Sequence, residues 1–422
     1  MLARTYKNIT YCTCGKALQA LSVCGVLMCA SCASDTIVKE IEETDPNGTD
    51  PLKFTCQVTD DVPQSGSTRA SSPLTSGFMV STYKSYAEST QQTVMDRYTV
   101  EYKTSGTAWD GNVRPYWDYT QVSGQIQRYW DFSNFPYRFH AVAPCPDNKS
   151  AVTLTDKEVK LDKGYSYQTV TDGAVSPKND VAEPYLLAQV NRSQDGTDTD
   201  LLAQDEEHRQ INTGSSSLNR EVRMPFHHLN SKVRFAVYCL SPWVTANYLY
   251  VQDLTVTVSS ADFVTSASGF ETTCTESSNW RPSSSPYGFT GLTKDGTHPV
   301  LLSYTGVDSN GDPLQDNDLR ENQTQKTANF LRYKDGIMQI PQDGVKMTVS
   351  LKLLKADQTY KTLADIPIKL DDNTDVFNWK PGYIYTYYLV IGGIPDKLEI
   401  EFTCTLTPWE DISGSLSTDL EQ

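Results

Sequence analysis

Pro51-Leu52-Lys53-Phe54-Thr55-Cys56-Gln57-Val58 is followed by TDDVPQSGSTRA, residues 59–70. Leu52, Phe54, Cys56 and Val58 alternate with Lys53, Thr55 and Gln57, so on an extended chain the first set makes one apolar face. Asp60, Asp61 and Pro63, within a Ser/Thr/Gly/Gln run, cannot continue a strand and predict an exposed loop. That loop holds one basic residue, Arg69, followed by the small residues Ala70, Ser71 and Ser72. A single Arg in an exposed polar loop is a good protease substrate. Two readings follow. One is an ordinary first strand with an ordinary loop. The other is a core-quality strand on a cuttable tether, whose loss leaves a groove for another strand. Burying Leu52, Phe54, Cys56 and Val58 stabilises such a strand by on the order of 6–9 kcal/mol gross. While the tether is intact, its high effective concentration keeps competitors out.

The chain has 422 residues, room for about two or three domains. With 24 Tyr and 7 Trp it has ample core material, and short strand-like runs far outnumber helical patterns. This predicts an all-β protein. A formal charge of −16 argues against nucleic acid and anionic lipid as partners.

Residues 1–31 read as a leader. Arg4, Lys7 and Lys16 give a basic start, and residues 17–30 are apolar but too short for a mature membrane span. The run ends at Cys29-Ala30-Ser31-Cys32, small residues before a Cys, which resembles the lipobox of bacterial lipoproteins with Cys32 as the lipidated residue. The departure is Cys29, where Leu is usual; a plain secretory signal is the alternative. Residues 32–50 are acidic, poor in apolar side chains and read as a flexible spacer. Beyond the leader and Cys32 remain Cys56, Cys145, Cys239, Cys274 and Cys404, an odd and widely spaced set with no CxxC pair. That is neither a disulfide framework nor a zinc site. Cys56, Cys239 and Cys404 read as small core residues.

Further along, strands are expected at residues 77–83, 98–102, 137–144, 152–154 and 185–190, with turn residues between them. Residues 127–132 (QRYWDF) are a further strand-like run. Residues 191–219 are polar and read as loop, so the domain boundary is placed between 220 and 221. In the second half, residues 232–238 and 254–258 alternate, and 259–295 and 308–325 read as loops. Residues 346–353 and 360–370 form a hairpin, Trp379-Lys380-Pro381-Gly382 a turn, and 383–391 and 398–406 the closing strands.

Four landmarks in this order resemble the fimbrillin family, the subunits of type V pili of Gram-negative anaerobes. They are Thr68-Arg69-Ala70, the strand YRFHAVAP at 137–144, FHHLNSKV at 226–233, and WKPGYIY at 379–385 with the closing PWEDI at 408–412. The resemblance implies two transthyretin-like Greek-key β-sandwich domains in tandem, 51–220 and 221–422. It also implies export as a lipoprotein, cleavage between Arg69 and Ala70 by a surface protease, and departure of the first strand (Leu52, Phe54, Cys56, Val58). A neighbouring subunit's strand then fills the groove. The expected setting is the cell outer membrane and fimbrium, and the expected partners are other pilus subunits.

Other chemistry is weakly signalled. His227 and His228 are adjacent, and neighbours on a strand face opposite ways, so they do not chelate one metal; His228 reads as a structural residue at the junction. No nucleophile elbow, P-loop or dinucleotide motif occurs. The acidic stretches around Asp195 and Asp308 lack the spacing of a calcium loop. No catalytic residue, metal or cofactor is expected. Trp109, Trp117, Trp130 and Trp280 read as core, or as a glycan platform in a rival reading of the chain as a surface glycan-binding lipoprotein. A third reading is a pilus anchor that keeps its own first strand, and a fourth a β-sandwich hydrolase with paired carboxylates. Residues 413–422 (SGSLSTDLEQ) lack apolar alternation and make a poor donor strand, so a tip or accessory subunit that only accepts a strand is expected.

Overall fold

The computed structural model describes residues 50–58, 77–86, 90–108, 111–177, 186–203, 210–212, 220–273, 284–370, 375–394 and 397–408. Cys32, Arg69, Ala70, Trp109, Trp280 and residues 409–422 lie outside the described residues, as does the side chain of Val58. The described chain is all-β, arranged in several sheets.

The first sheet is built from β1 (Phe54–Val58), β2 (Phe78–Tyr86), β3 (Thr90–Lys103), β4 (Tyr116–Asp118) and β5 (Tyr137–Ala143). Five short strands then turn away from it: β6 (Val152–Leu154), β7 (Glu158–Leu161), β8 (Tyr165–Ser166), β9 (Thr169–Thr171) and β10 (Ala174–Ser176). The chain returns through β11 (Leu186–Arg192), β12 (Asp198–Asp200), β13 (Gln210–Asn212) and β14 (Val222–His228). The order across the sheet is β1-β14-β11-β5-β2-β3-β4, with β1 at one edge.

This sheet is buried on both faces, which is why Phe139–Ala143 and Leu186–Val190 are almost continuously apolar rather than alternating. One face carries Phe78, Val80, Phe139, Ala141, Ala188, Met224 and Phe226. The other carries Met79, Val142 and Leu187, packed against Val159, Leu161, Phe270, Phe289 and Ile340.

The second half contains β15 (Ser231–Cys239), β16 (Tyr248–Val258), β17 (Phe263–Ala267), β18 (Gly269–Thr273), β19 (Phe289–Thr290), β20 (Thr293–Asp295) and β21 (Val300–Tyr304). It continues with β22 (Ile337–Gln339), β23 (Gln342–Val345), β24 (Met347–Lys355), β25 (Tyr360–Pro367), β26 (Phe377–Trp379), β27 (Tyr383–Ile394) and β28 (Lys397–Pro408). Its core is lined by Val233, Phe235, Val256, Leu302, Val349, Leu351, Trp379, Tyr387 and Leu389.

Three details differ from the sequence expectation. Residues 259–295 hold four short strands rather than a loop, and two of them pair with the first half: β17 with β8, and β18 with β7. Residues 191–219 hold β12 and β13. Residues 127–132 form only an isolated antiparallel bridge, Pro51 to Tyr129. β14 belongs to the first sheet and β15 to another, and residues 229–230 join them.

Two sequence landmarks meet at that passage. β15 runs parallel to β27, with Lys232 opposite Ile384. Gly382 donates its N–H to the Asn230 carbonyl at 2.8 Å. Gly382 has φ +80°, so the turn that reaches Asn230 needs a residue without a Cβ. Trp379 is buried, and its indole N–H donates to the Tyr387 hydroxyl at 3.0 Å. The WKPGYIY stretch is therefore a core anchor with a built-in turn.

Candidate functional site

The site is the edge groove occupied by β1. β1 runs parallel to β14, with Phe54 opposite Val222 and Val58 opposite Phe226. Lys53 accepts the Val222 N–H at 2.7 Å. On the other side, Leu52 donates to the Arg128 carbonyl at 2.8 Å and Asp50 accepts the Trp130 N–H at 3.0 Å. The start of the strand is thus held on both edges, between β14 and a wall formed by residues 128–130.

The alternation read from sequence is realised in the burial. Leu52 is 0% and Phe54 3% exposed, while Lys53 and Thr55 are half-buried on the outer side. The Phe54 ring meets Phe78, Tyr119 and Phe139 edge-on, with centroids 5.9, 6.0 and 6.0 Å away. Cys56 is half-buried against the same core, and burial pushes its thiol well above the ordinary range. A thiol held protonated is a packing group and a poor nucleophile.

Tyr119 joins wall and strand. Its hydroxyl lies 3.1 Å from the Leu52 carbonyl and 3.2 Å from the Arg128 carbonyl, and it accepts the Arg128 N–H at 3.1 Å. Burial raises its phenol above the ordinary range, so it stays protonated and able to donate.

Beneath the groove lies a buried ion pair. Arg192 donates from Nε and Nη2 to the two Asp198 carboxylate oxygens at 2.7 and 2.8 Å, with both side chains fully buried. The same guanidinium donates to the Arg220 carbonyl at 2.8 Å and the Glu221 carbonyl at 3.2 Å, and lies 4.7 Å from the Trp130 ring centre. Arg192 therefore ties the residues leading into β14 to the 128–130 wall. Burial alone would raise the Asp198 carboxyl; the Arg192 hydrogen bonds and the Arg192 and Arg220 charges hold it below the ordinary range.

Among the described residues, the other candidates make local structural contacts. His227 and His228 are both buried, and His227 Nε2 lies 2.8 Å from Asp200 Oδ2. Asp195 accepts from the Ser193 hydroxyl and the Thr197 N–H; Asp308 accepts the N–H groups of Asn310 and Asp312. These carboxylates cap their own turns. Trp117 and Trp130 are core residues rather than a surface platform. Sequence reasoning missed Tyr119, the 128–130 wall and the Arg192–Asp198 pair. The available signal was Asp198-Thr199-Asp200, a period-two pattern whose charged members point inward.

The fimbrillin-like family profile matches residues 68–409. None of the curated proteins matches the chain. Among solved structures, a fimbrial protein from Bacteroides vulgatus is 13% identical, with 79% of this chain and 93% of that chain covered and a TM-score of 0.42. The tip fimbrial protein Mfa3 from Porphyromonas gingivalis, with C-terminal truncation, is 10% identical, with 80% and 95% covered and a TM-score of 0.25. The profile spans most of the chain and takes in Arg69, YRFHAVAP, FHHLNSKV and WKPGYIY. On that match the chain belongs to the fimbrillin-like family.

Proposed function

We propose that the chain is a structural subunit of a surface pilus, acting in adhesion and assembled by exchange of its first strand. The subunit is exported as a lipoprotein on Cys32 and reaches the outer membrane. A surface protease cuts it between Arg69 and Ala70. β1 then leaves, and a strand from another pilus subunit takes its place. The domains are read as two tandem transthyretin-like Greek-key sandwiches.

The observation that carries this reading is the placement of β1. It is a short edge strand with Phe54 buried, and Leu52 buried just before it, joined along the chain to β2 through residues 59–77. The family match begins at Thr68, beside Arg69, and leaves β1 outside the shared region. Removing β1 bares the backbone of Val222–Phe226 and the Phe54 pocket together, which is the edge chemistry that strand addition uses.

N-terminal sequencing of protein recovered from assembled surface pili tests the reading, with Ala70 expected as the first residue. A start at Cys32 on assembled protein would replace it with an anchor that keeps its own strand. Cys32→Ala is expected to abolish partition into the membrane fraction. Residues 413–422 carry only Leu416 and Leu420 as apolar residues, so that stretch makes a poor donor strand. If the cut protein polymerises alone and loses this on deletion of 413–422, it is a stalk subunit.

A further inference from the structure

We infer that any strand filling the β1 groove must bring an aromatic ring to the pocket formed by Phe78, Tyr119 and Phe139. The partner is then a pilus subunit whose donor segment carries an aromatic residue two positions from an aliphatic one. For the partner this rests on the exchange reading; for the pocket it does not.

Backbone bonds cannot select one register. The N–H and C=O groups on one edge of a strand repeat every two residues, so a strand displaced by two makes the same bonds to Arg128, Trp130 and Val222. Selection falls to the side chains. Of those in β1, Phe54 has the most demanding seat. Its ring stands at 89°, 68° and 83° to Phe78, Tyr119 and Phe139, an edge-to-face arrangement that an aliphatic side chain cannot reproduce.

The pocket cannot readily shrink around a smaller occupant, because its walls are held by contacts that do not involve β1. Phe78 packs on Trp117 and Phe226 at 5.2 and 5.3 Å. Phe139 packs on Trp130 and Tyr137 at 6.0 and 6.2 Å. Tyr119 is pinned through its hydroxyl to Arg128. A wall fixed in this way leaves a void when the ring is missing, and voids in such cores are costly. Residues 413–422 contain no aromatic residue, so a peptide copying them serves as the negative probe.

The test has two arms. In the uncut full chain, Phe54→Leu, and Leu52→Phe combined with Phe54→Leu, are compared by hydrogen exchange of the β1 amides against those of β27. Exchange in β1 is expected to rise about tenfold in the first and further in the second, with β27 unchanged. Unchanged β1 exchange in both overturns the inference. In the other arm, the chain cut after Arg69 is mixed with labelled peptides. The peptide copying residues 50–58 is expected to be captured, its Phe54→Leu version about tenfold more weakly, and the 413–422 peptide not at all. Equal capture of the first two overturns the inference while leaving exchange intact. If no peptide is captured but β1 behaves as expected in the uncut chain, the exchange reading and its partner fall, and the demand of the pocket stands.

Discussion

The ring of Phe54 stands almost perpendicular to that of Phe139, at 83° with centroids 6.0 Å apart, and so plugs a strand at the edge of the sheet into its central strand β5. Phe54→Ala removes this plug. In the uncut chain the loss is expected to be about 3–5 kcal/mol. A urea titration reads it as a lower midpoint at unchanged slope; a midpoint within error of the parent would show that β1 contributes little to the intact fold.

The Arg192–Asp198 pair is expected to be non-additive under mutation. Arg192→Met leaves Asp198 buried with only Arg220 beside it, and Asp198→Asn leaves the Arg192 charge buried; either is expected to cost about 3–5 kcal/mol. Replacing both partners with apolar residues is expected to cost less than the sum of the single changes. A double-mutant cycle by chemical denaturation measures this, and additive losses would show that the pair is not coupled.

Acid is expected to destabilise the first sheet before carboxylates as a class are protonated. His140 is fully buried, and burial first, then the Arg138 charge, pushes it down to about 3. A histidine depressed in the folded state favours folding fully above its unfolded value. That contribution is lost as pH falls from about 6.5 toward 3, by up to about 1.4 kcal/mol per unit. His140→Leu is expected to flatten the pH dependence of the melting temperature over that window. An unchanged slope would place the acid sensitivity elsewhere.

Trp379 and Tyr387 share a buried hydrogen bond of 3.0 Å. Tyr387→Phe leaves the indole N–H without that acceptor, and about 1–3 kcal/mol is expected to be lost. Trp379→Phe removes the donor and some volume, and is expected to cost more. Thermal melting of both variants ranks them; the reverse order would mean that the hydroxyl matters more than the packing.

The sequence revealed elements wherever a strand has one dry and one wet face. Leu52/Phe54, the hairpin of β24 and β25, and the closing pair β27–β28 all announce themselves by alternation or by a turn such as Lys380-Pro381-Gly382. It concealed strands whose reason lies far away in the chain. β17 and β18 sit in a Ser-rich stretch, and β7 and β8, about a hundred residues earlier, supply their partners. β12 was hidden because Asp normally signals solvent. Here Asp198 is neutralised by Arg192 and Arg220, and Asp200 sits against His227. The groove's occupant was legible, while its walls were not. Tyr119 lies in an irregular segment, residues 128–130 read as part of a strand-like run and form only an isolated bridge, and the role of both is set by what they touch.

The uneven fastening of β1 has a mechanical consequence. At Asp50, Leu52 and Lys53 the chain is bonded to neighbours on both sides, while from Phe54 to Val58 its strand pairing among the described residues is with β14. A pull along the strand from its Asp50 end loads both sets of bonds together, in shear. A pull away from the sheet at Val58 loads one residue pair at a time. The same strand is therefore stiff against tension along its length and weak against peeling from the end next to the tether. Force direction therefore decides how readily β1 leaves its seat.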